Sequence, residues 1–472
     1  MKLTGAQHDR AAGVLLASAA GDALGAGYEF TYPAADVEIA MIGGGPFGFE
    51  PGEWTDDTSM TVGVARVTAT GTDLRTVTGL NAVAAGFAQW YSSQPKDIGN
   101  QTRAVLSARD RSGAAMQATA RRLTGLKGGN GSLMRTAAVG IAYLSDPNAC
   151  VQAARSVSAL THDDELAHQA CELWSYAIRH AVLHGTFAGV RQYLDIAGAT
   201  VADHWTPLLD QAETGSPQDF PKNGWVVHAL QTAWWAIAHA DQSDATHLQK
   251  ALELAVRAGN DTDTTAAIAG GLLGARWGAS AVPAAWRRIL HGWPGLRAKE
   301  LITLAALTAS HGHNDSKGWP STRRMDYSGW ETGHRAVPHP HDGGVLLGGY
   351  DAAYQGGVDA VVSLCRMGAD NLGPEHIEFW LLDAGPRQNP NLPFLLDDAA
   401  RTIKTLRSEG KTVLLHCVEG RSRTPSVAAR YSMLLGEDPQ DVKRAMTWSD
   451  PEPALWAAAV TPRPRGRSMM QH

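Results

Sequence analysis

The stretch HCVEGRSRT, His416 to Thr424, sets a cysteine and an arginine apart by five residues at the point where a short apolar run gives way to a helical pattern. A loop of that length ahead of a helix can curl until its N–H groups, that of Gly420 included, converge on one oxyanion while Arg423 grips two of its oxygens. The same field favours the thiolate of Cys417, which makes it a nucleophile toward a phosphate ester. Asp383, closing the upstream run IEFWLLD, is the expected general acid for the leaving group. Thr424 is expected to hydrogen-bond the thiolate and help it leave in the second step, and His416 and Gly420 join the phosphate-binding set.

A different chemistry is written in GEWTDDTSM (52–60) and GNDTDTTAA (259–267), which pack Asp and Thr just ahead of apolar helical runs. Taken singly such residues cap helices. Gathered in one site, Asp56, Asp57, Asp261 and Asp263 cannot all stay ionised without cations between them. With Thr55 and Thr264 adding hydroxyls and neither Cys nor His present, the oxygen-only set suits hard ions such as magnesium or manganese. GGNGSLMR (128–135) adds a Gly-rich turn whose N–H groups around Asn130, Gly131 and Ser132 suit a diphosphate.

The elements that must position these groups come in two grammars. Residues 1–308 are successive Ala- and Leu-rich segments with helical spacing, such as LAHQACELWSYAIRHAVLHG (166–185), and predict an all-α domain whose core takes in Trp90, Trp174, Trp234, Trp235 and Trp277. Residues 309–340, polar and rich in Gly, Pro and His, read as a solvated linker. Over 341–455 short apolar runs at 344–349, 358–365, 377–383 and 412–417 alternate with helical segments, predicting an α/β domain with a mostly parallel sheet. Residues 456–472 read as a flexible tail. The chain is thus expected to be multidomain, in line with its 472 residues.

Composition excludes several classes. A formal charge of −6 with 19% charged and 44% hydrophobic residues fits neither a disordered chain nor nucleic-acid binding driven by bulk charge. Four scattered cysteines without a CxxC pair suggest a reducing compartment. No apolar run reaches the ~20 residues a spanning helix needs, and the early run at 11–25 lacks a basic leader, so a cytoplasmic protein without membrane contact is expected.

Two resemblances follow from these motifs. Residues from about 340 to 450 resemble the dual-specificity branch of the Cys-based phosphatases, whose signature HCxxGxxR[ST] is matched at every fixed position. This implies a phosphocysteine on Cys417, with Arg423 stabilising the transition state, Asp383 as acid and no cofactor; it does not specify the phosphorylated substrate. The first ~305 residues resemble the ADP-ribosylglycohydrolases of the DraG type. The stretches GDALGAGYEF (21–30), GEWTDDTSM, KDIGNQTRAVL (96–106), GGNGSLMR, THDDELAH (161–168), AGNDTDTTAAIAGGLLGARWG (258–278) and HGWPGLRAKEL (291–301) come in the family's order.

That second resemblance implies an all-α fold around two magnesium ions, with manganese as a substitute, and hydrolysis of the bond between ribose C1″ and an acceptor. Thr55, Asp56 and Asp57 would hold one side of the metal pair, and Asp261, Asp263 and Thr264 the other. Glu29 matches a gating glutamate, Asp97 or Glu29 would accept the proton of the attacking water, and His162 matches a ligand-contacting histidine. The acceptor stays open among an ADP-ribosylated protein (arginine or serine), a nucleic-acid base and a small molecule. The alternative is an ADP-ribose-binding module that recruits the phosphatase to modified targets; a further one has both domains act on one molecule carrying phosphate and ADP-ribose.

Overall fold

The computed structural model describes residues 2–125, 127–370 and 372–462. The chain forms two compact units, Met1–Asp315 and Ser316–His472. The first is helical, apart from a two-stranded ribbon pairing His291–Gly292 with Leu296–Arg297.

Its centre is the pairing of helix Gly5–Gly25 with helix Thr262–Trp277. Small residues make this possible: a Cβ at Gly21 would lie 2.2 Å from the Ala266 carbonyl oxygen, and one at Gly274 2.0 Å from that of Gly13. The two backbones therefore touch, which side chains of ordinary size would prevent. A Cβ at Gly25 would meet Asp263 Cα at 2.4 Å, and the Thr262 hydroxyl donates to the Gly25 carbonyl at 2.9 Å. The packing of glycines thus lays the end of one helix across the start of the other. The segment GDALG, which reads as the terminal loop of the first helix, is fully helical and buried through Gly25. Trp90, Trp174, Trp234 and Trp277 are buried as expected, whereas Trp235 is only half-buried.

The second unit holds a five-stranded sheet in the order Val337–His339, Asp342–Gly348, Val413–His416, Ala360–Ser363, Glu375–Glu378, with the first pairing antiparallel and the other three parallel. Helix Leu392–Ser408 buries its apolar face beside the sheet, and helix Arg423–Leu435 follows the strand Val413–His416.

Three sequence expectations change here. Val337–His339, inside the expected linker, is the antiparallel edge strand, and His339 is buried with Nε2 3.2 Å from the Ala428 carbonyl; three residues are too few to show a period. The run IEFWLLD is not a strand to its end, because the strand stops at Glu378 and Asp383 lies beyond it on the surface. Helix Pro453–Val460, opened by the Glu452 carboxylate accepting from the Leu455 N–H, takes in residues placed in the tail, and 463–472 lie outside the described residues. Among the described residues all four cysteines are free, and no helix is long and apolar enough to cross a membrane.

Candidate functional site

The helix Asp56–Thr68 begins at Thr55 without a side-chain cap of its own. Asp22 supplies it: one carboxylate oxygen accepts from the Thr55 N–H and the other from the Thr58 N–H, both at 2.9 Å. This fixes Asp56 and Asp57 in the first turn, where the helix field favours carboxylates. Asp263 and Thr264 occupy the first turn of Thr262–Trp277, with Asp261 at its cap.

These elements converge. Ligand oxygens of Asp22, Asp57 and Asp263 lie within 4.8 Å of one another, and so do those of Glu29, Asp97 and Asp263. Asp263 belongs to both groups. Thr55 Oγ1 and Thr264 Oγ1 donate to Asp57 Oδ2 at 3.1 and 3.2 Å, and Asn130 Nδ2 donates to Asp261 Oδ2 at 2.7 Å. Asp57 Oδ1, Asp263 Oδ1 and Glu29 Oε2 are buried with no hydrogen-bond partner. Leaving such an atom bare costs about 1–3 kcal/mol, and more when the group is charged.

Protonation answers part of that cost. Burial, then repulsion from Asp97 and its neighbours, pushes Glu29 up to about 9, and burial raises Asp22 and Asp97 to about 6. Burial and like charge hold Asp56, Asp57 and Asp263 well above the usual carboxylate range, and burial also raises Asp261. Three orphaned carboxylate oxygens amid an all-oxygen donor set fit hard divalent cations.

Around this cluster the Gly-rich turn lies over an imidazole: a Cβ at Gly131 would meet His162 Cε1 at 3.3 Å. His162 is buried, its Nδ1 is 2.7 Å from the Thr161 hydroxyl, and burial keeps it neutral. Asn130 departs from expectation. Its N–H, expected to face a diphosphate, donates to the Gly224 carbonyl at 3.1 Å, and its amide holds Asp261. The Ser132 hydroxyl is likewise buried, 3.0 Å from that of Ser158.

Sequence reasoning missed Asp22 and Asn223. The Asn223 amide bonds the Gly259 carbonyl, and its Oδ1 accepts from Asn260 Nδ2 and the Asp261 N–H. For Asp22 a signal existed, since a lone carboxylate inside a run of Ala, Gly and Leu must find buried partners.

In the second unit, Cys417 to Ser422 form the loop between strand Val413–His416 and helix Arg423–Leu435. Gly420 has φ +75°, and a Cβ there would lie 2.8 Å from the Gly348 carbonyl oxygen, so the bend needs glycine twice over. Arg423 donates from Nη1 to the Leu364 and Leu381 carbonyls at 3.0 and 3.2 Å, which fixes its plane, while Nε is buried without a partner. Exposed Asp383 is drawn to the loop by a bond from the Ser422 hydroxyl.

Two expected roles are not what the contacts show. Thr424 is fully buried and its hydroxyl donates to the Gly348 carbonyl at 3.2 Å. His416 is a strand anchor: Nδ1–H donates to the Cys417 carbonyl at 3.1 Å, which leaves Nε2 to accept from the Ser363 hydroxyl at 2.6 Å. Burial brings its pKa down to about 4, so it stays neutral.

Comparison with known proteins bears on the first unit. The sequence profile of the ADP-ribosylglycohydrolase family matches residues 3–316. The chain is 32% identical over 288 residues to ADP-ribosylarginine hydrolase Tri1 of Pseudomonas putida (strain GB-1), covering 59% of this chain and 73% of that protein. It is 28% identical over 284 residues to ADP-ribosyl-[dinitrogen reductase] glycohydrolase of Rhodospirillum rubrum, covering 59% and 89%. A solved structure described as an ADP-ribosylglycohydrolase-related protein complex aligns with a TM-score of 0.53 at 28% identity, over 66% of this chain and 100% of that one.

Proposed function

The chain belongs to the ADP-ribosylglycohydrolase family, and from that premise we propose that its first unit releases ADP-ribose from the arginine side chain of a modified protein with the help of two divalent ions, magnesium or manganese. The observation that carries this reading is the pair of carboxylate groups sharing Asp263, with three buried oxygens left bare. Thr55, Asp56, Asp57, Asp261, Asp263 and Thr264 would hold the ions, as the alignment of motifs implies. When bound, the ions orient the ribose diol and acidify a water molecule.

The remaining steps belong to the protein. Asp97 is half-buried and open to the site, and with a pKa near 6 it is ionised at neutral pH, so it accepts the proton of the attacking water. Burial and the neighbouring carboxylates push Glu29 up to about 9, so it holds its proton in the metal-free protein and would give it up if cations offset those neighbours, as a gate beside a loaded site requires. Gly131 and His162 form the floor on which the diphosphate side of the ligand would rest. The test is release of ADP-ribose from arginine-linked, serine-linked and nucleic-acid-linked substrates with and without magnesium. Metal-dependent release from the arginine linkage alone supports the reading; tight ADP-ribose binding without release from any linkage replaces it with the recruiting module.

For the second unit we propose a Cys-dependent phosphomonoesterase. The supporting observation is the Cys417-to-Arg423 loop, with left-handed Gly420 at its bend and the buried, partnerless Nε of Arg423 at its end. Cys417 attacks phosphorus and the ester oxygen leaves with a proton from Asp383; water then displaces the cysteine. Hydrolysis of an aryl phosphate that disappears in Cys417→Ser supports this reading, and hydrolysis retained by that variant overturns it.

A further inference from the structure

Arg135, which closes the Gly-rich stretch GGNGSLMR, is fully buried, and among the described residues no carboxylate pairs with it. Its guanidinium lies against neutral partners. Nη2 donates to the Val157 carbonyl at 3.2 Å and to the Thr161 hydroxyl at 2.7 Å, and Nη1 reaches the Met60 sulfur at 3.8 Å. The Phe87 ring centroid is 4.7 Å from Cζ, and Nε has no partner. Burial lowers its pKa only to about 10, so the charge persists at neutral pH. Keeping an unpaired cation in the interior is costly where an apolar side chain would pack freely, which points to a task beyond packing.

The accounting of hydrogens shows that task. Arginine donates and cannot accept, so Thr161 Oγ1 accepts from Nη2. Thr161 is fully buried, and its own hydrogen is directed to His162 Nδ1, 2.7 Å away. Were Nδ1 protonated, that hydroxyl would face two donors and its hydrogen would be buried without an acceptor. The donor chain therefore runs from Arg135 through Thr161 to Nδ1, and the single proton of the neutral ring sits on Nε2. Nε2 faces the Gly-rich turn: a Cβ at Gly129 or at Gly131 would lie 3.5 Å from it. The backbone that carries the ring is pinned as well, since Gln101 Nε2 donates to the Thr161 carbonyl at 3.0 Å and His168 Nε2 to the His162 carbonyl at 2.8 Å.

We propose that Arg135 and Thr161 are positioning residues that lock His162 as its Nε2–H tautomer, so that a neutral N–H is aimed at a phosphate oxygen of ADP-ribose lying over the Gly-rich turn. The inference rests on the glycohydrolase reading of the same site. The opposite tautomer would present a lone pair to the phosphate and repel it. Affinity for the nucleotide thus depends on two side chains that act through the imidazole.

The test uses the intact chain in magnesium, with ADP-ribose as the probe. Long-range nitrogen–proton spectra of protein carrying isotope-labelled histidine, with the His162 signal identified by its loss in His162→Gln, should show Nε2 protonated and Nδ1 accepting a hydrogen bond. By calorimetry, Thr161→Val should bind ADP-ribose roughly tenfold more weakly, and Thr161→Ser, which keeps the hydroxyl, should stay within about twofold of the unaltered chain. In a His162→Ala background, Thr161→Val should change the affinity less than about twofold, because its effect passes through the imidazole. A proton on Nδ1 in the unaltered chain overturns the proposal, and that spectrum decides even where Thr161→Val does not fold. A loss in Thr161→Val that persists in the His162→Ala background, or that Thr161→Ser shares, overturns it too. Absence of ADP-ribose binding by the unaltered chain overturns the underlying reading of the site, a result distinct from the tautomer.

Discussion

Phe30 and Asn260, two residues with positive φ that are not glycine, are tied together through their backbones: the Phe30 N–H donates to the Asn260 carbonyl at 2.6 Å, and the Asn260 N–H to the Thr31 carbonyl at 2.9 Å. Each stands next to a carboxylate of the site, Glu29 on one side and Asp261 on the other. The clasp ties the segment that carries Glu29 to the one that carries Asp261. Asparagine tolerates the left-handed region better than most residues, and a β-branched side chain tolerates it poorly.

Asn260→Val should therefore cost roughly 1–2 kcal/mol more stability than Asn260→Gly, since both lose the amide bond to Asn223 but only valine strains the backbone. Thermal melts of the two variants without metal check this. Equal melting temperatures would mean that the left-handed turn is not held by the clasp.

Asp22 gives a second prediction. Its carboxylate satisfies two buried N–H groups and faces Asp57 and Asp263, so it shapes the candidate metal site by holding the turn that carries Asp56 and Asp57. Asp22→Asn keeps the volume but presents an NH2 group to one of those donors. Magnesium affinity, measured by calorimetry, should fall on the order of 10- to 100-fold. Unchanged affinity would show that the turn is set by other contacts.

The acidic cluster predicts how stability follows pH. Carboxylates raised in the folded state bind more protons there than when unfolded, so the metal-free protein loses stability as pH rises from about 4 through the folded values near 6 for Asp22 and Asp97 toward about 9 for Glu29. Cations bound among these carboxylates would offset the penalty by replacing protons. The rise in melting temperature produced by magnesium should be small at pH 5 and grow steadily to pH 9. A magnesium effect independent of pH would contradict the assignment of these groups to the metal.

The sequence made much of this legible and some of it not. Asp56, Asp57, Asp261 and Asp263 stand out because acidic residues bunch at helix starts, where a single cap would do. For Asp22 the sequence signals a buried carboxylate but not its partners, which only the close helix pairing through Gly21 and Gly25 supplies. His416 and Thr424 belong to a recognisable motif, yet their side chains are turned to Ser363 and to the Gly348 carbonyl, partners that come from other strands and leave no trace in local spacing. The edge strand Val337–His339 is too short to show a period, and its pairing with Asp342–Gly348 alone defines it.

The central claim is that a carboxylate cluster built around Asp263 does the glycohydrolase chemistry, apart from Cys417. The most direct measurement is ADP-ribose release from ADP-ribosylarginine in magnesium by the intact chain and by Asp263→Ala and Cys417→Ser. Loss of at least a thousandfold in Asp263→Ala, with magnesium binding weakened and Cys417→Ser at full rate, is the expected result. Release that persists in Asp263→Ala, or that falls equally with Cys417→Ser, would contradict the account.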